Sequence, residues 1–584
     1  MTRRIAPGVA FLPAAVLLLV AILRPPEIHP DSHAALGLFA PLALAACAAG
    51  SPLRRARVAS AAPWFALAAV VAGAHLFVSP RPHAALLQME GAALAVAAFL
   101  VFREGPPGSS DALFRIRGPV PGLLALAGAA AALVALQQRV IGFEWLAQAV
   151  AEQNLPFRDE ALARIASGRV FGPLMLPASL AGFFALSLPV SVALAVDRSR
   201  GRAFRFAAGG AAGLQLAALA LTGSIAGIAA LGVAAAVTAG LCARGRVVRI
   251  VLVGGVLLAA GLLAAAAIPS RGFDWARLSD PNHPAGLRLG NWRAGIEMLA
   301  DRPATGTGGG GYAAFYSRFM KPGMNETRHA HNSWLEVVVE YGPAAAPLAA
   351  LFALAVLARW RRACRAGALT GLAAAGLPAF LLHTVVDFTA YQPGVLVPFA
   401  ALLGALWDAP AVPSGIVTHP HPEGDPGRRA SNLTRTALAV SAVFAAGVAL
   451  HAVAGGSGDW LLERAQRRVA EGDLDGAVRL AARAESIARL DPSPPAFQGS
   501  LDLEAGRGSD AASPLRRAAA RDPFSARLEF LRGVADSRSN RPADAWLHFC
   551  RAESLHPLSA DYRLARETAE SALKPAPEPG RQKP

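Results

Sequence analysis

Residues 250–268 read IVLVGGVLLAAGLLAAAAI and contain no charged or strongly polar side chain. At about 1.5 Å per residue, a helix of this length crosses the roughly 30 Å hydrocarbon core of a bilayer. The rest of the chain has the same character, because 54% of its 584 residues are apolar and only 16% are charged. Soluble domains carry roughly 25% charged residues. The composition therefore predicts an all-α, polytopic membrane protein.

Similar apolar stretches recur along the chain, with arginines clustered between them. An excess of Lys and Arg marks cytoplasmic loops. With Arg3 and Arg4 placed inside, every second connection is basic, which supports the span count and predicts a cytoplasmic N-terminus. We predict twelve spans in a membrane core and one further span, at residues 7–23, 34–50, 61–79, 84–102, 121–141, 172–196, 206–222, 224–242, 250–268, 333–358, 367–386, 394–409 and 436–454.

These spans divide the chain into a core, a linker and a final helix before an outer domain. Residues 1–410 form the core, in which a long outward loop occupies residues 269–332. Residues 411–434, rich in Pro, His and Gly, are predicted to be a cytoplasmic linker. Residues 435–455 are predicted to contain the last transmembrane helix, which places everything after it on the outer side.

The sequence after the last span is charged and rich in Ala, as in surface helices. Within residues 456–574, three similar stretches end at Asp491-Pro492, Asp522-Pro523 and His556-Pro557, so the prolines fall 31 and 34 residues apart. This spacing is close to the 34-residue tetratricopeptide period and predicts stacked helical hairpins. Residues 575–584, rich in Pro, are predicted to be a disordered tail.

Several classes of site are not expected from these patterns. The net charge of +16 is accounted for by the basic inside connections, so no nucleic-acid partner is predicted. The Gly308–Gly311 run lacks the Lys-Ser/Thr pair of a phosphate-binding loop and is interpreted as a flexible turn. No CxxC spacing occurs, so neither a metal knuckle nor a disulfide framework is expected from the four cysteines, Cys47, Cys242, Cys364 and Cys550.

The second half of the outward loop holds the densest polar sequence. It reads RLGNWRAGIEM from Arg288, DRPATGTG from Asp301 and RHAHNSWLE from Arg328. An arginine before a tryptophan-bearing amphipathic helix, a D-x-P-x-x-G-x-G turn and an H-x-H-N-x-x-L-E segment follow one another. Together they resemble the signature region of the O-antigen ligase and O-antigen polymerase family.

Two further segments extend this resemblance over roughly residues 165–405. SGRVFG at 167–172 resembles the family's G-R-x-x-G element, and His383 with Asp387 resembles its late H-x-x-x-D element. One departure concerns TGSIAG at 222–227, where the family often has Ser-Arg-Gly and this chain has no arginine. The resemblance implies that the missing phosphate contact is absent or supplied from elsewhere, for example by Arg271 or Arg293.

The resemblance implies a membrane-embedded glycosyltransferase of the bacterial inner membrane that needs no metal or other cofactor. Its donor would be a glycan on a polyprenyl diphosphate carrier such as undecaprenyl diphosphate. The acceptor hydroxyl would belong to lipid A-core in lipopolysaccharide, to a growing glycan or to a protein. Membrane lipids would surround the core, and the tetratricopeptide-like domain would face the periplasm, where a protein partner could bind it.

The residues fit this chemistry. Guanidinium groups bind a diphosphate leaving group in a two-pronged geometry, and Arg169, Arg288 and Arg293 are the candidates. An acceptor hydroxyl must lose a proton, and histidine titrates in the range useful for a general base. His331 is the first candidate for this base and His329 the second.

Other side chains are expected to support the site. The predicted supporting residues are Asn332, as the cap of the next helix, together with Glu336, Glu340, His383 and Asp387. Glu336 and Glu340 lie one helical turn apart near the outer end of a span, where a lipid-facing carboxylate would be costly.

Each candidate also has a structural interpretation. Arg169 could simply lie at the lipid headgroups, and Arg288 could be the exposed end of an amphipathic helix. His329 and His331 could ligate a metal together, although no third ligand is evident, and His383 could be an interhelical hydrogen-bonding histidine.

Three other functions stay open. The same fold could serve a protein O-glycosyltransferase acting on pilins, whose acceptor the helical repeats would dock. A transporter or flippase places polar groups near the bilayer midplane, whereas the predicted spans are nearly free of charge at their centres. A non-catalytic scaffold would leave the polar residues of the outward loop unexplained.

Overall fold

The computed structural model describes residues 22–23, 70, 73–103, 119–152, 158–174, 176–267, 284–407 and 432–573. Within these ranges every regular element is a helix and no strand occurs, which confirms the all-α prediction. The predicted spans 7–23, 34–50 and 61–79 lie largely outside the described residues. So do Arg271, most of the predicted linker and the C-terminal tail.

The membrane core contains fifteen labelled helices among the described residues. They are α1 (Pro82–Arg103), α2 (Pro119–Gln137), α3 (Phe143–Ala151), α4 (Arg158–Ala166), α5 (Pro177–Val196), α6 (Arg202–Leu221), α7 (Ile225–Cys242), α8 (Arg246–Ala267), α9 (Pro284–Asp301), α10 (Gly311–Phe319), α11 (Ser333–Tyr341), α12 (Ala345–Ala366), α13 (Ala368–Ala374), α14 (Gly376–His383) and α15 (Pro393–Trp407). A π-helical turn joins α2 to α3.

Six helices of the described residues are long and apolar enough to cross a membrane. They are α1, α2 together with α3, α5, α6, α7 and α8, and they coincide with the predicted spans between residues 84 and 268. α5 lies at the centre and packs against α2, α6, α7, α13 and α14. No residue in the apolar stretch of α8 is fully buried, although α8 packs against α7, so much of its apolar surface is left exposed by the described residues.

A polar contact joins α5 to α6 inside this bundle. The amide of Gln215 accepts a hydrogen bond from Ser187 Oγ and donates one to Ser191 Oγ, both at 2.8 Å. All three side chains are fully buried. Side-chain hydrogen bonds of this kind hold spanning helices together where the hydrophobic effect cannot.

The predicted span 333–358 is wrong in one respect, because the structure divides it into α11 and α12. The break falls at Gly342, whose φ of 79° is in the left-handed region, followed by Pro343, which has no N–H to donate. A Cβ at Gly342 would lie 2.8 Å from the carbonyl oxygen of Ala304.

The last predicted span is part of a longer helix. α16 runs without interruption over Asn432–Ala470, so the predicted boundary between residues 455 and 456 falls inside it. Six helices follow and pack in sequence, each against the next, as the predicted hairpins require. They are α17 (Leu474–Ile487), α18 (Ser493–Glu504), α19 (Gly508–Arg521), α20 (Ala526–Arg538), α21 (Pro542–Leu555) and α22 (Ala560–Leu573).

We refer to α17–α22 as the hairpin domain; its assignment as tetratricopeptide-like stays a prediction. One edge of this domain, formed by the turns at Asp491, Asp522 and His556, contacts the rest of the protein. Asp522 forms an ion pair with Arg81 at 2.9 Å, and Asp491 lies 3.8 Å from the ring nitrogen Nε2 of His83. His556 lies 2.9 Å from a carboxylate oxygen of a residue in the loop before α11, Glu326.

The three contacts involve the same repeated position, because each residue precedes the proline that ends a predicted repeat. An aromatic contact strengthens the edge: the rings of Phe524 and Phe315 on α10 lie 4.5 Å apart, and Phe524 packs on the small core formed by the motif loop. We use "motif loop" for residues 284–332. The hairpin domain therefore lies against the motif loop.

Candidate active site

The HAHN segment forms a tight turn at the start of α11. Asn332 Oδ1 accepts hydrogen bonds from the backbone N–H groups of Trp334 and Leu335 at 3.1 and 3.0 Å, so the predicted helix cap is confirmed. The next residue, Ser333, donates from Oγ to the carbonyl of Asp387 at 2.9 Å. The turn is thus held against the segment that follows α14.

The carboxylate of Glu336 holds the turn by contacting two of its residues. Its side chain is fully buried, Oε1 lies 2.7 Å from His329 Nδ1, and Oε2 accepts the N–H of Ala330 at 2.8 Å. The His329 ring stacks on Phe388 with the ring centres 4.2 Å apart and the planes 11° apart. One carboxylate and one aromatic face therefore fix the orientation of the His329 imidazole.

His331 occupies an unusual backbone conformation beside this pair. Its φ of 53° lies in the left-handed region, and its ring meets the Phe388 ring edge-on at 4.9 Å. His331 Nδ1 is buried and has no hydrogen-bond partner. Burial lowers the pKa of His331 to about 4, with Arg288 adding to the decrease and Asp387 opposing it. The imidazole is therefore neutral near pH 7 and able to accept a proton.

Two arginines from distant parts of the sequence come together near His331. Burial lowers the pKa of Arg169, and the positive charge of Arg288 lowers it further, so the two guanidinium groups lie within range of mutual electrostatic repulsion. Arg169 Nε donates to the carbonyl of Thr222 at 2.9 Å, whereas Arg288 Nε is buried without an acceptor. No carboxylate of the described residues forms an ion pair with either arginine. Such a pair of cations favours an anionic ligand.

The contact with Thr222 bears on the arginine missing from the turn at 222–227. Arg169 reaches this turn from the connection before α5, so an arginine from another segment contacts the turn that has none of its own. Arg293 is placed differently, since its exposed side chain forms an ion pair with Glu297 at 3.0 Å on the surface of α9. The structure does not bring Arg293 together with Arg169, Arg288 or His331.

The glycine-rich turn is buried and tightly packed, so its interpretation as a flexible turn is wrong. The N–H of Thr307 donates to the carbonyl of Val339, and that of Gly308 to the carbonyl of Glu340, both at 2.9 Å. These bonds satisfy carbonyls at the end of α11, where the helix has no partner for them. A Cβ at Gly306 would lie 2.6 Å from the Val339 oxygen, which explains the glycine.

Residues 210–349 match the family model described as O-antigen ligase. No curated protein matches the chain. The match runs from α6 to the start of α12 and contains the whole motif loop. Together with the apolar helices, it supports a multi-pass membrane protein with glycan transfer as its function at the family level.

Within the matched region, Glu340 connects α11 to α1. Its buried carboxylate accepts hydrogen bonds from Gln88 Nε2 at 3.1 Å and from Tyr391 Oη at 3.2 Å. The backbone N–H of Tyr312 donates to it as well, at 3.3 Å. Neither Glu336 nor Glu340 pairs with an arginine, and both face the protein interior.

Three predicted site residues lie outside the O-antigen ligase match, namely Arg169, His383 and Asp387. His383 is fully buried, its Nδ1 lies 3.3 Å from Thr389 Oγ1, and its Nε2 has no partner. Asp387 is buried and accepts the N–H of Phe388 at 2.8 Å. The carbonyl of Asp387 accepts hydrogen bonds from Ser333, so Asp387 lies against the HAHN turn, whereas the contact of His383 is with Thr389.

Sequence reasoning missed Phe388 and Gln88. Phe388 contacts the rings of both His329 and His331. The one sequence feature that points to Phe388 as a site residue is its position next to Asp387. Gln88 lies in the helix α1, where nothing marks it as a partner of Glu340. Among the described residues, no three His, Cys, Asp or Glu side chains are grouped so that they could hold a metal ion.

Proposed function

We propose that this protein transfers a glycan from a polyprenyl diphosphate carrier to an acceptor hydroxyl, as an O-antigen ligase or a polysaccharide polymerase. One observation carries the proposal: Arg169, bonded to the Thr222 carbonyl, and Arg288, whose Nε is buried without an acceptor, repel each other and have no carboxylate partner among the described residues. Their charges lie in the surroundings of His331, whose buried Nδ1 is also unpartnered. An anion site next to a proton acceptor is what glycan transfer from a diphosphate requires.

In the proposed reaction, the bond between the anomeric carbon and the diphosphate oxygen breaks, and the diphosphate leaves with the electron pair. The two guanidinium groups stabilise the negative charge that develops on it. The acceptor oxygen bonds to the anomeric carbon and loses its proton to His331. No metal ion takes part in this scheme.

The remaining predicted residues act as positioning groups in this proposal. Glu336 orients His329 and holds the turn, Glu340 ties α11 to α1, and His383 and Asp387 line the buried side of the site. His329 is the rival base, because a histidine oriented by a carboxylate is a common arrangement for proton transfer. Its contact with Glu336 at 2.7 Å is the observation that favours it.

We further propose that the site and the hairpin domain lie on the periplasmic face of the bacterial inner membrane, with the N-terminus in the cytoplasm. The ion pair between Arg81 and Asp522 and the contact between Phe315 and Phe524 support a common side for the motif loop and the hairpin domain. Lipid A-core, a growing glycan and an exported protein are the candidate acceptors. The hairpin domain is the candidate docking site for a protein.

The experiment compares carrier affinity and turnover in purified variants. Arg169→Lys and Arg288→Lys keep the charge but lose the planar two-pronged geometry, so each should weaken carrier binding by roughly 10- to 150-fold, the equivalent of about 1.5–3 kcal/mol. His331→Ala should bind the carrier normally and lose at least about 10²-fold in turnover.

Arg293→Lys provides the matched comparison. Since Arg293 pairs with Glu297 at the surface, this variant should bind the carrier like the wild type. If the Arg169 and Arg288 variants bind normally while His331→Ala does not, the assigned roles are reversed. Transfer to purified lipid A-core, to lipid-linked repeat units or to an exported protein then identifies the acceptor class.

A further inference from the structure

A buried indole N–H without an acceptor lies next to the proposed anion site. Trp292 Nε1 on α9 is buried and has no hydrogen-bond partner. Buried Trp N–H groups usually find an acceptor, and two other tryptophans of this chain do so. Trp334 Nε1 donates to Thr384 Oγ1, and Trp360 Nε1 donates to Thr238 Oγ1, both at 3.0 Å. The Trp292 donor is therefore available to a ligand.

The position of Trp292 on α9 points to the same ligand as Arg288. The two residues are four apart, so their side chains lie on one face, one helical turn from each other. Arg288 Nε is also buried without an acceptor. The neighbouring face of α9 is occupied, because Asn291 accepts a hydrogen bond from Tyr316 Oη at 2.6 Å and Ala294 lies in the core of the motif loop.

We infer that Trp292 is a further binding residue for the carrier, and that its indole N–H donates to an oxygen of the diphosphate held by Arg288. This inference rests on the proposed function. An indole N–H donates and cannot accept, so the ligand must bring an acceptor atom. A diphosphate carries several acceptor oxygens and can reach donors one helical turn apart, and its charge matches the nearby guanidinium groups.

Trp292→Phe tests the inference because it keeps an aromatic ring of similar shape and removes the N–H. We expect the affinity for the polyprenyl diphosphate without a glycan to fall about tenfold or more. The affinity for the glycan-bearing carrier should fall by the same factor. The thermal unfolding temperature should not fall, because the lost donor has no partner in the free protein.

The matched control is Trp546→Phe, since Trp546 Nε1 is also buried without an acceptor but lies in the hairpin domain. This variant should bind the carrier like the wild type. A loss confined to the glycan-bearing carrier would mean that Trp292 contacts the sugar, and it would overturn the inference. So would unchanged affinity in Trp292→Phe.

Arg288→Lys separates this inference from the proposed function. If Arg288→Lys weakens carrier binding and Trp292→Phe does not, the anion site stands and Trp292 has no part in it. If neither does, the anion site itself is misplaced. Should Trp292→Phe fail to accumulate, the indole ¹⁵N–H resonances of the wild type can be followed during titration with polyprenyl diphosphate. At least one should shift downfield, and unchanged spectra at saturation would contradict the inference.

Discussion

Replacing Glu336 with Gln tests how the HAHN turn presents His331. Glu336 accepts the N–H of Ala330 at 2.8 Å, and its other oxygen lies 2.7 Å from His329 Nδ1, which donates when the carboxylate is ionised. Gln has nearly the same shape but only one carbonyl oxygen, so either the Ala330 N–H loses its acceptor or the His329 proton must move from Nδ1 to Nε2. A buried donor left without an acceptor costs about 1–3 kcal/mol.

The loss of a Glu336 hydrogen bond should lower turnover because of the backbone conformation of His331. Its left-handed backbone costs an L-residue roughly 1–2 kcal/mol, and the contacts of Glu336 with the two preceding residues help to hold it there. If the whole cost of the substitution appears in the barrier, turnover falls about 5- to 150-fold, because each 1.36 kcal/mol corresponds to a factor of ten. Carrier affinity should stay near the wild-type value, since Glu336 does not contact the arginines.

The assay is glycan transfer by the purified variant in proteoliposomes, with carrier affinity and thermal unfolding measured on the same sample. Glu297→Gln is the control, because Glu297 forms only surface ion pairs with Arg293 and Lys321, which contribute little. Turnover of Glu336→Gln within twofold of the wild type would refute the positioning role. Equal losses of turnover and carrier affinity would refute the separation of the two sites.

Three further predictions concern topology, docking and metal. Reporter fusions at Gly309 and at Gly499 should both show a non-cytoplasmic location, and cytoplasmic activity at either would contradict the proposed orientation. Arg81→Asp should lower the unfolding temperature by breaking the ion pair with Asp522, and adding Asp522→Arg should restore most of the loss; no recovery would argue against the docking edge. Dialysis against a strong chelator should leave transfer unchanged, whereas a loss rescued by one divalent ion would revive a metal site at the histidines.

Local patterns predicted the six spans between residues 84 and 268 and the helix cap. An apolar stretch long enough to cross a bilayer needs no partner to form a spanning helix, so α1, α5 and α8 could be predicted from the sequence. The cap at Asn332 is equally local, because the side chain bonds to the N–H groups two and three residues later. The orientation of the protein in the membrane and the domain boundaries depend on more than local patterns, and both stay predictions.

Contacts between distant segments could not be predicted in the same way. Arg169 lies in the connection before α5 and Arg288 lies on α9, so their electrostatic interaction depends on the tertiary fold, and no local feature of either segment predicts it. The close approach of Gly342 to the carbonyl of Ala304 is likewise a contact between distant segments. The spacing of the Asp-Pro and His-Pro positions predicted a repeat, but it did not predict that these positions contact the rest of the protein.

The pH dependence of transfer distinguishes the two candidate bases. Burial lowers the pKa of His331 to about 4, so the neutral, proton-accepting form persists well below the ordinary value of 6.5. If His331 is the base, kcat/KM for the acceptor should be flat at neutral pH and fall as the pH decreases through about 4, where the imidazole becomes protonated.

Asp387→Asn tests in which direction the acidic limb of the pH profile moves. The negative charge of Asp387 raises the pKa of His331, so removing it should lower that pKa and move the acidic limb of the profile to still lower pH. The asparagine oxygen can keep the hydrogen bond from the N–H of Phe388, so the turn itself should survive. Glu336 contacts the His329 ring at 2.7 Å, whereas Asp387 raises the pKa of His331. If the acidic limb of the pH profile moves in Glu336→Gln and stays fixed in Asp387→Asn, the proton transfer belongs to His329.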